Sequence, residues 1–248
     1  MTQPFRPDTT LPCTVLPSPN HGDRKGREID AIVLHYTDMP TAGAAVAVLC
    51  DPATEVSSHY LVDEDGGVIQ MVPEERRAWH AGRSYWRGER DLNSVSIGIE
   101  IANGGLRGGL PPFPDRQIDA VIALCRDIVA RHGVPADRIL AHSDIAPGRK
   151  VDPGPCFPWA RLAREGLGVW PPVPQVIPGV SLALGATGCR VAALQKSLTA
   201  WGADVPASGT FDRATQTAVA AFQLHFRLTC YDGVADEETI ALAATFVA

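Results

Sequence analysis

The sequence of 248 residues lacks the features of three broad classes of protein. No apolar run approaches the roughly 18 residues of a membrane-spanning helix, which argues against a transmembrane segment. The 22 basic residues are outnumbered by 28 acidic ones, so the charge gives no basis for nucleic-acid binding. The six cysteines form no Cys-x-x-Cys pair, which argues against a zinc site built from cysteine.

The first 13 residues, MTQPFRPDTTLPC, also lack the apolar core of a signal peptide. We therefore expect the cytoplasm ahead of the periplasm or cell envelope, with Cys125 reduced in the core of a predicted helix. Cys189 and Cys230 both lie in the C-terminal part and could pair. A disulfide between them in protein taken from cells would reverse the expected order of compartments.

The composition and the placement of proline predict a chain of two parts. Hydrophobic residues make up 45% of the sequence, which is enough for a folded core. Four prolines fall within residues 170–178, a pattern typical of a semi-rigid spacer between domains. We predict an extended N-terminal arm over residues 1–27, an α/β domain over 28–168, a linker over 169–179 and a helical domain over 180–248.

In the α/β domain, the spacing of apolar residues predicts strands mixed with helices. The expected elements are strands over 29–36 and 94–101, a hairpin of 57–62 with 68–72, and helices over 42–50 and 115–132. The strand over 94–101 alternates strictly, with one apolar face and one face formed by Ser96, Gly98 and Glu100. We interpret this small, polar face as the wall of a cleft.

The C-terminal part repeats a short pattern, with Gly209, Asp212 and Thr215 in one copy. The second copy has Gly233, Asp236 and Thr239 at the same spacing. Each reads as a turn glycine and an N-cap aspartate that opens a helix. With residues 190–201, the two copies predict three short helices. Their expected core is Val191, Leu194, Leu198, Val219, Phe222, Phe226, Ile240 and Leu242.

Three side chains that can bind a metal lie at predicted strand ends or on a rigid loop. His35 falls near the end of the first strand, and His142 follows the apolar run 138–141. Asp152 comes ten residues later, and the prolines and glycines at 147, 148 and 153–155 predict a fixed loop here rather than a helix. Two histidines and a carboxylate leave one position of a tetrahedral zinc open, as in hydrolytic sites. The alternative is that these are three unrelated polar residues.

Two charged residues near these groups could serve a hydrolytic reaction. Glu100, at the end of its strand, could act as a general base, or could be a solvated or salt-bridged edge residue. Lys150 could stabilise an oxyanion, or could be a charge partner of Asp152 or a surface cation.

These residues lie in motifs that resemble those of the zinc-dependent N-acetylmuramoyl-L-alanine amidases of type 2, which are related to peptidoglycan recognition proteins and to the phage T7 lysozyme. The resemblance covers about residues 28–165 and keeps the family's order of motifs. The motifs are Val33-Leu34-His35-Tyr36, Ser58-His59-Tyr60-Leu61, Trp79-His80-Ala81-Gly82, Asn93-x-x-Ser96-Ile97-Gly98-Ile99-Glu100 and His142-x9-Asp152-Pro153-Gly154.

The C-terminal part resembles the peptidoglycan-binding domain found beside such enzymes. The matching residues are Leu194-Gln195, Phe211-Asp212, Thr215, Ala218-Val219, Phe222-Gln223 and Asp232-Gly233. We therefore expect this part to add affinity for the wall polymer, not chemistry. A domain that binds the cell wall favours a location in the periplasm or cell envelope, whereas the lack of a signal peptide favours the cytoplasm.

For the first part, the resemblance implies a mixed central sheet flanked by helices and one zinc per chain, held by His35, His142 and Asp152. It makes Glu100 the catalytic carboxylate and Lys150 the cation that stabilises the transition state.

The expected reaction is hydrolysis of the amide between N-acetylmuramic acid and L-alanine, in peptidoglycan or its muropeptide fragments, for wall degradation, remodelling or recycling. Trp79 and His80 would line the substrate groove, whereas a structural role for His59 stays equally open. The competing hypothesis is a non-catalytic peptidoglycan recognition protein on the same fold. The retained ligand set favours the enzyme, because a pure binder needs no activated water.

Overall fold

The computed structural model describes residues 5–172, 175–176 and 179–247. The chain divides into two compact units that do not follow its order. The first contains the chain up to Arg83 together with Asp91–His142 and Asp152–Val169; the second contains Ser84–Arg90, Ser143–Val151 and the chain from Trp170 onward. The linker predicted over 169–179 includes residues 173, 174, 177 and 178, which lie outside the described residues, and its boundaries stay a prediction.

The first unit is built on a mixed six-stranded sheet, as predicted. Its strands are β1 (Cys13–Val15), β3 (Ala31–Tyr36), β4 (Tyr60–Val62), β5 (Val68–Gln70), β7 (Ser96–Ile101) and β8 (Ile139–Ala141), in the order β1-β5-β4-β7-β3-β8. Strands β4 and β5 form the expected antiparallel hairpin, and the other neighbours are parallel. A separate pair joins β2 (His21–Asp23) to β6 (Arg76–Ala78).

Two helices of this part of the chain, α1 (Ala42–Leu49) and α3 (Asp115–His132), form where the apolar periodicity predicts them. Three short helices were not predicted: α2 (Leu92–Val95), α4 (His142–Ile145) and α5 (Trp159–Arg164). Helix α4 begins in the stretch for which a loop was expected, and its residues from Ser143 onward belong to the second unit. Helix α3 buries its predicted stripe, including Cys125. Its N-cap position is Pro114, so Asp115 stands in the first turn, where a negative charge is favourable. None of the helices within the described residues is both long and apolar enough to cross a membrane.

The prediction of a surface arm over residues 1–27 is wrong in part. Strand β1 adds to the edge of the main sheet, and Arg24 is buried. The Arg24 guanidinium donates to the carbonyl oxygens of Glu74, Ser94 and Ser96 at 2.6–3.1 Å. An edge strand needs only backbone hydrogen bonds on one side, so the stretch shows no apolar periodicity that would reveal it.

The second unit contains the three predicted helices, α6 (Cys189–Trp201), α7 (Arg213–Phe226) and α8 (Glu237–Ala244). The caps are as expected: Asp212 accepts from the Thr215 N–H at 2.8 Å, and Asp236 accepts from the Thr239 N–H at 2.9 Å. Seven of the eight predicted core residues are buried, whereas Ile240 is half-buried.

Two internal segments of the chain belong to this second unit. In Ser84–Arg90, the Trp86 ring packs edge-to-face on Trp201 with centroids 5.1 Å apart. In Ser143–Val151, a carboxylate oxygen of Asp144 lies 2.8 Å from Nδ1 of His225, and both side chains are buried. All six cysteines are free thiols, so no bond joins Cys189 to Cys230.

Candidate metal centre and active site

The register of the parallel strands places two histidines side by side. Leu34 of β3 is the partner of Ala141 of β8, so His35 and His142 each follow a paired residue. Both therefore lie at the carboxyl ends of neighbouring strands, the edge of a parallel sheet where ligand sites form. Asp152 reaches the same place from the loop beyond α4, and all three side chains are buried.

Three ligand atoms converge at this edge in a small triangle. Nδ1 of His35 and Nδ1 of His142 are 2.9 Å apart. An oxygen of Asp152 lies 3.0 Å from the first nitrogen and 2.9 Å from the second. Within the described residues, this is the only group of three or more histidine, cysteine or acidic side chains placed to hold a metal ion. The predicted ligand set is thus brought together.

No arrangement of protons makes all three edges of this triangle favourable. With no proton on either Nδ1, every edge joins two lone pairs. One proton leaves the other nitrogen facing the carboxylate, and two protons leave two N–H groups facing each other. A single cation coordinated by the lone pairs of all three atoms removes the repulsion along every edge. Atoms about 2.0–2.1 Å from a tetrahedral zinc lie about 3.3 Å apart, close to the spacing here, so the residues fit that ion.

The outer nitrogen of His142 favours the tautomer that such an ion requires, and that of His35 faces another ring nitrogen. Nε2 of His142 lies 3.1 Å from the Ala81 carbonyl oxygen, which can only accept, so His142 carries a proton at Nε2. Nε2 of His35 lies 3.1 Å from Nδ1 of His80. Burial alone would raise the pKa of Asp152, but His142 and His35 outweigh it and hold that pKa well below its usual range.

His80 is held over the polar face of β7. Its backbone N–H and that of Ala81 both donate to the side-chain oxygen of Asn93, at 3.0 and 2.7 Å. Its ring lies so close above Gly98 that a Cβ at that position would come within 2.5 Å of it. Burial, followed by the charge of His35, keeps the pKa of His80 well below its ordinary value.

The interpretation of this face as an open cleft wall is therefore wrong for Ser96 and Gly98. Both are buried, because the His80 ring fills the space that their small side chains leave. The observed strand β7 is also shorter than the predicted one, since residues 94 and 95 belong to α2. Trp79 is half-buried, and its backbone N–H donates to the Ser57 hydroxyl at 2.9 Å. The substrate-binding roles of Trp79 and His80 stay predictions.

Glu100 is the half-buried member of the same face. It is the register partner of His35 in the adjacent parallel strand, and residues paired in this way present their side chains on one side of a sheet. A carboxylate is therefore placed next to one corner of the triangle. Lys150 is half-buried in the second unit, where its backbone N–H donates to the Ala146 carbonyl at 3.1 Å. The catalytic roles of both stay predictions.

The contacts of His59 favour the structural role over the functional one that the sequence left equally open. Its Nδ1 accepts from the Gly98 N–H at 3.0 Å, and its Nε2 lies 3.0 Å from the Arg76 carbonyl. Burial and the neighbouring Arg24 lower its pKa to about 3, so the ring is neutral. Sequence reasoning assigned no role to Asn93 and made Ser96 only part of a cleft wall, although both stand in a quoted motif. Their contacts join segments that are distant in the chain.

Comparison with known proteins agrees with this geometry. The family model of N-acetylmuramoyl-L-alanine amidase matches residues 25–155, and that of a peptidoglycan-binding domain matches residues 187–242. The chain is 41% identical over 227 residues to the N-acetylmuramoyl-L-alanine amidase AmiD of Escherichia coli, covering 87% of this chain and 81% of AmiD. It is 39% identical to the 1,6-anhydro-N-acetylmuramyl-L-alanine amidase AmpD of Enterobacter cloacae, over 57% of this chain and 72% of AmpD.

Solved structures of similar proteins extend over both parts of the chain. The Escherichia coli AmiD complex with anhydro-N-acetylmuramic acid-L-Ala-D-γ-Glu-L-Lys has a TM-score of 0.73 and 38% identity, covering 91% of this chain and 90% of that one. AmpDH3 of Pseudomonas aeruginosa in complex with anhydromuramic pentapeptide has a TM-score of 0.69 and 30% identity, covering 90% and 91%. By sequence and by fold, this chain belongs to the N-acetylmuramoyl-L-alanine amidase family.

Proposed function

We propose that this chain uses one zinc ion to hydrolyse the amide between N-acetylmuramic acid and L-alanine in peptidoglycan or its muropeptide fragments. The observation that carries the proposal is the buried triangle of His35, His142 and Asp152, which only a cation satisfies. The muropeptide ligands of the solved AmiD and AmpDH3 complexes support the substrate class.

The side chains of this chain divide the work of the reaction. A bound zinc supplies Lewis-acid chemistry and activates water at neutral pH. His35, His142 and Asp152 would hold it, and the Nε2 contacts of the two histidines, with the Ala81 carbonyl and with His80, orient their rings. Glu100 takes a proton from the attacking water and passes it to the leaving amine of L-alanine. The cation of Lys150 stabilises the negative charge that develops on the carbonyl oxygen.

The proposed function is tested by removing and restoring the metal. Protein treated with a chelator should release no free stem peptide from a purified muropeptide, and addition of one equivalent of zinc should restore release. Mass spectrometry of the products identifies the bond that is cut. Binding of the muropeptide by the zinc-loaded protein without any release of peptide would instead favour the non-catalytic recognition protein.

For Lys150, we expect that Lys150→Ala lowers kcat about 100-fold, the scale of losing one donor to an oxyanion. KM should change little, because the charge that Lys150 meets exists only in the transition state. The matched control is Arg149→Ala, which removes an exposed cation from the adjacent position and should keep normal turnover. Equal losses in the two variants would reduce Lys150 to a general charge effect.

For the C-terminal part, we infer a structural task in addition to affinity for the polymer. The segment Ser143–Val151 joins two of the proposed ligands, and it belongs to the same compact unit as α6–α8. A chain that ends near Val176 should therefore melt at a lower temperature and lose activity on soluble muropeptides as well as on sacculi. Thermal melts and both assays on the full and shortened chains check this.

A shortened chain that hydrolyses soluble muropeptides at the full rate and fails only on sacculi would show that the C-terminal part supplies affinity alone. The matched variant in the full chain is His225→Ala, which removes the contact with the buried Asp144 and should lower the melting temperature. His225→Asn keeps a donor near Nδ1 and should recover part of that loss.

A further inference from the structure

A row of hydrogen-bonding groups runs from the backbone of α2 to the triangle formed by His35, His142 and Asp152. The Ser96 hydroxyl lies 2.5 Å from the Leu92 carbonyl oxygen. Nε2 of His80 lies 3.2 Å from the Ser96 oxygen, and Nδ1 of His80 lies 3.1 Å from Nε2 of His35. These contacts connect α2, β7, the loop after β6 and β3.

The direction of each hydrogen bond in this row follows from its far end. The Leu92 carbonyl can only accept, so the Ser96 hydroxyl donates to it and turns a lone pair toward His80. His80 must then carry its proton at Nε2, which leaves its Nδ1 as an acceptor. His35 donates to that acceptor from Nε2, and its own Nδ1 lone pair faces His142 and Asp152.

The opposite direction would be costly. If Nδ1 of His80 donated to His35, the His80 ring would carry two protons and a positive charge in a buried place. His35 would then carry its proton at Nδ1, inside the ligand triangle. Both faults disappear when the Ser96 hydroxyl holds His80 in the Nε2–H tautomer.

We propose that His80 and Ser96 act as positioning residues that set the tautomer of His35 and so tune the zinc affinity of the site. The inference rests on the proposed zinc site and not on the identity of the substrate. Gly98 belongs to the same device, because a hydrogen is the only side chain that leaves room for the His80 ring.

The test is a measurement of zinc affinity, by competition with a chromophoric chelator, in the absence of substrate. His80→Phe keeps a ring but no acceptor, and should weaken zinc binding about 10–100-fold, the usual scale for a partner behind a ligand. Ser96→Ala should weaken it less, since His80 keeps its acceptor in one of two tautomers. His80→Asn, with an amide oxygen near the Nδ1 position, should recover part of the loss.

The double variant His80→Phe/Ser96→Ala gives a readout that simple loss of packing would not move. Because Ser96 acts only through His80, the double variant should bind zinc as tightly as His80→Phe alone. The control is His59→Asn, which changes another buried histidine of the same cluster and keeps an acceptor for the Gly98 N–H. Its zinc affinity should stay within about twofold of the unaltered protein, because its ring nitrogens face the Gly98 N–H and the Arg76 carbonyl and make no hydrogen bond to His80 or His35.

Two outcomes would overturn the inference. One is unchanged zinc affinity in His80→Phe, and the other is a Ser96→Ala effect that is as large with Phe at position 80 as with histidine. If His80→Phe does not fold, the Ser96→Ala change is compared in the His80→Asn background. An amide oxygen at position 80 accepts from His35 without help from Ser96, so Ser96→Ala should then leave zinc affinity unchanged, and a further loss as large as that with histidine would overturn the inference. If the unaltered, zinc-loaded protein has no amidase activity while the variants change zinc affinity as expected, the proposed function is contradicted and this inference stands.

Discussion

Asp152→Ala should yield a folded protein that has lost most of its zinc. Asp152 supplies the only negative charge of the triangle, and its oxygen lies within 3.0 Å of both histidine nitrogens. Without it, two neutral nitrogens remain, which are too few for a stable tetrahedral site. We expect the metal content to fall from about one zinc per chain to about a tenth of that after dialysis, as metal analysis would measure.

A control for this loss is Asp127→Ala. Asp127 is a half-buried carboxylate on α3 that accepts from Arg131 and Thr10, away from the ligand triangle. Its removal should leave the zinc content intact, and circular dichroism should show both variants folded. Full zinc occupancy in Asp152→Ala and in His142→Ala would contradict the ligand assignment, and the metal would have to be sought elsewhere.

Glu100→Gln should bind zinc and substrate normally but turn over at least ~100-fold more slowly, the scale expected for a general base. The amide keeps the shape of the carboxylate but cannot take a proton. The register partner of Glu100 is His35, so the change falls beside the triangle and outside the ligand set. Steady-state kinetics on a soluble muropeptide, together with metal analysis, separate the loss of chemistry from the loss of metal.

A useful companion is Glu100→Asp, which keeps the acid but withdraws it by one methylene. Its turnover should lie between that of the unaltered protein and that of Glu100→Gln. Near-normal turnover in Glu100→Gln would assign the proton transfer to another group. His80 is then a poor candidate, because both of its ring nitrogens face protein groups, His35 and Ser96.

The sequence predicts that the three proposed ligands lie close together, because two of them, His35 and His142, stand at the ends of well-marked strands. His35 ends an apolar run that becomes β3, and His142 follows another that becomes β8. Parallel pairing then brings strand ends together without any further information. The caps at Asp212 and Asp236 are equally local, and so their helices begin where predicted.

The parts that sequence reasoning missed depend on contacts between distant segments. Gly98 and Ser96 read as an empty face, since nothing in the chain near them shows that His80, 16 residues before Ser96, fills it. The short strand β1 is held by backbone hydrogen bonds to β5, some 55 residues later. No local pattern of side chains encodes either arrangement.

The second unit is assembled from segments that lie far apart in the chain, and this affects how the chain folds during synthesis. The contacts of Trp86 with Trp201 and of Asp144 with His225 join residues 115 and 81 positions apart, so the ribosome completes one side long before the other. The segment between His142 and Asp152 cannot reach its packed state until α7 has been made. Closing such long loops is slow, and a nascent chain exposes the unpaired surface meanwhile. We therefore expect the loop that joins these two proposed ligands to reach its final structure last, once the end of the chain has been made.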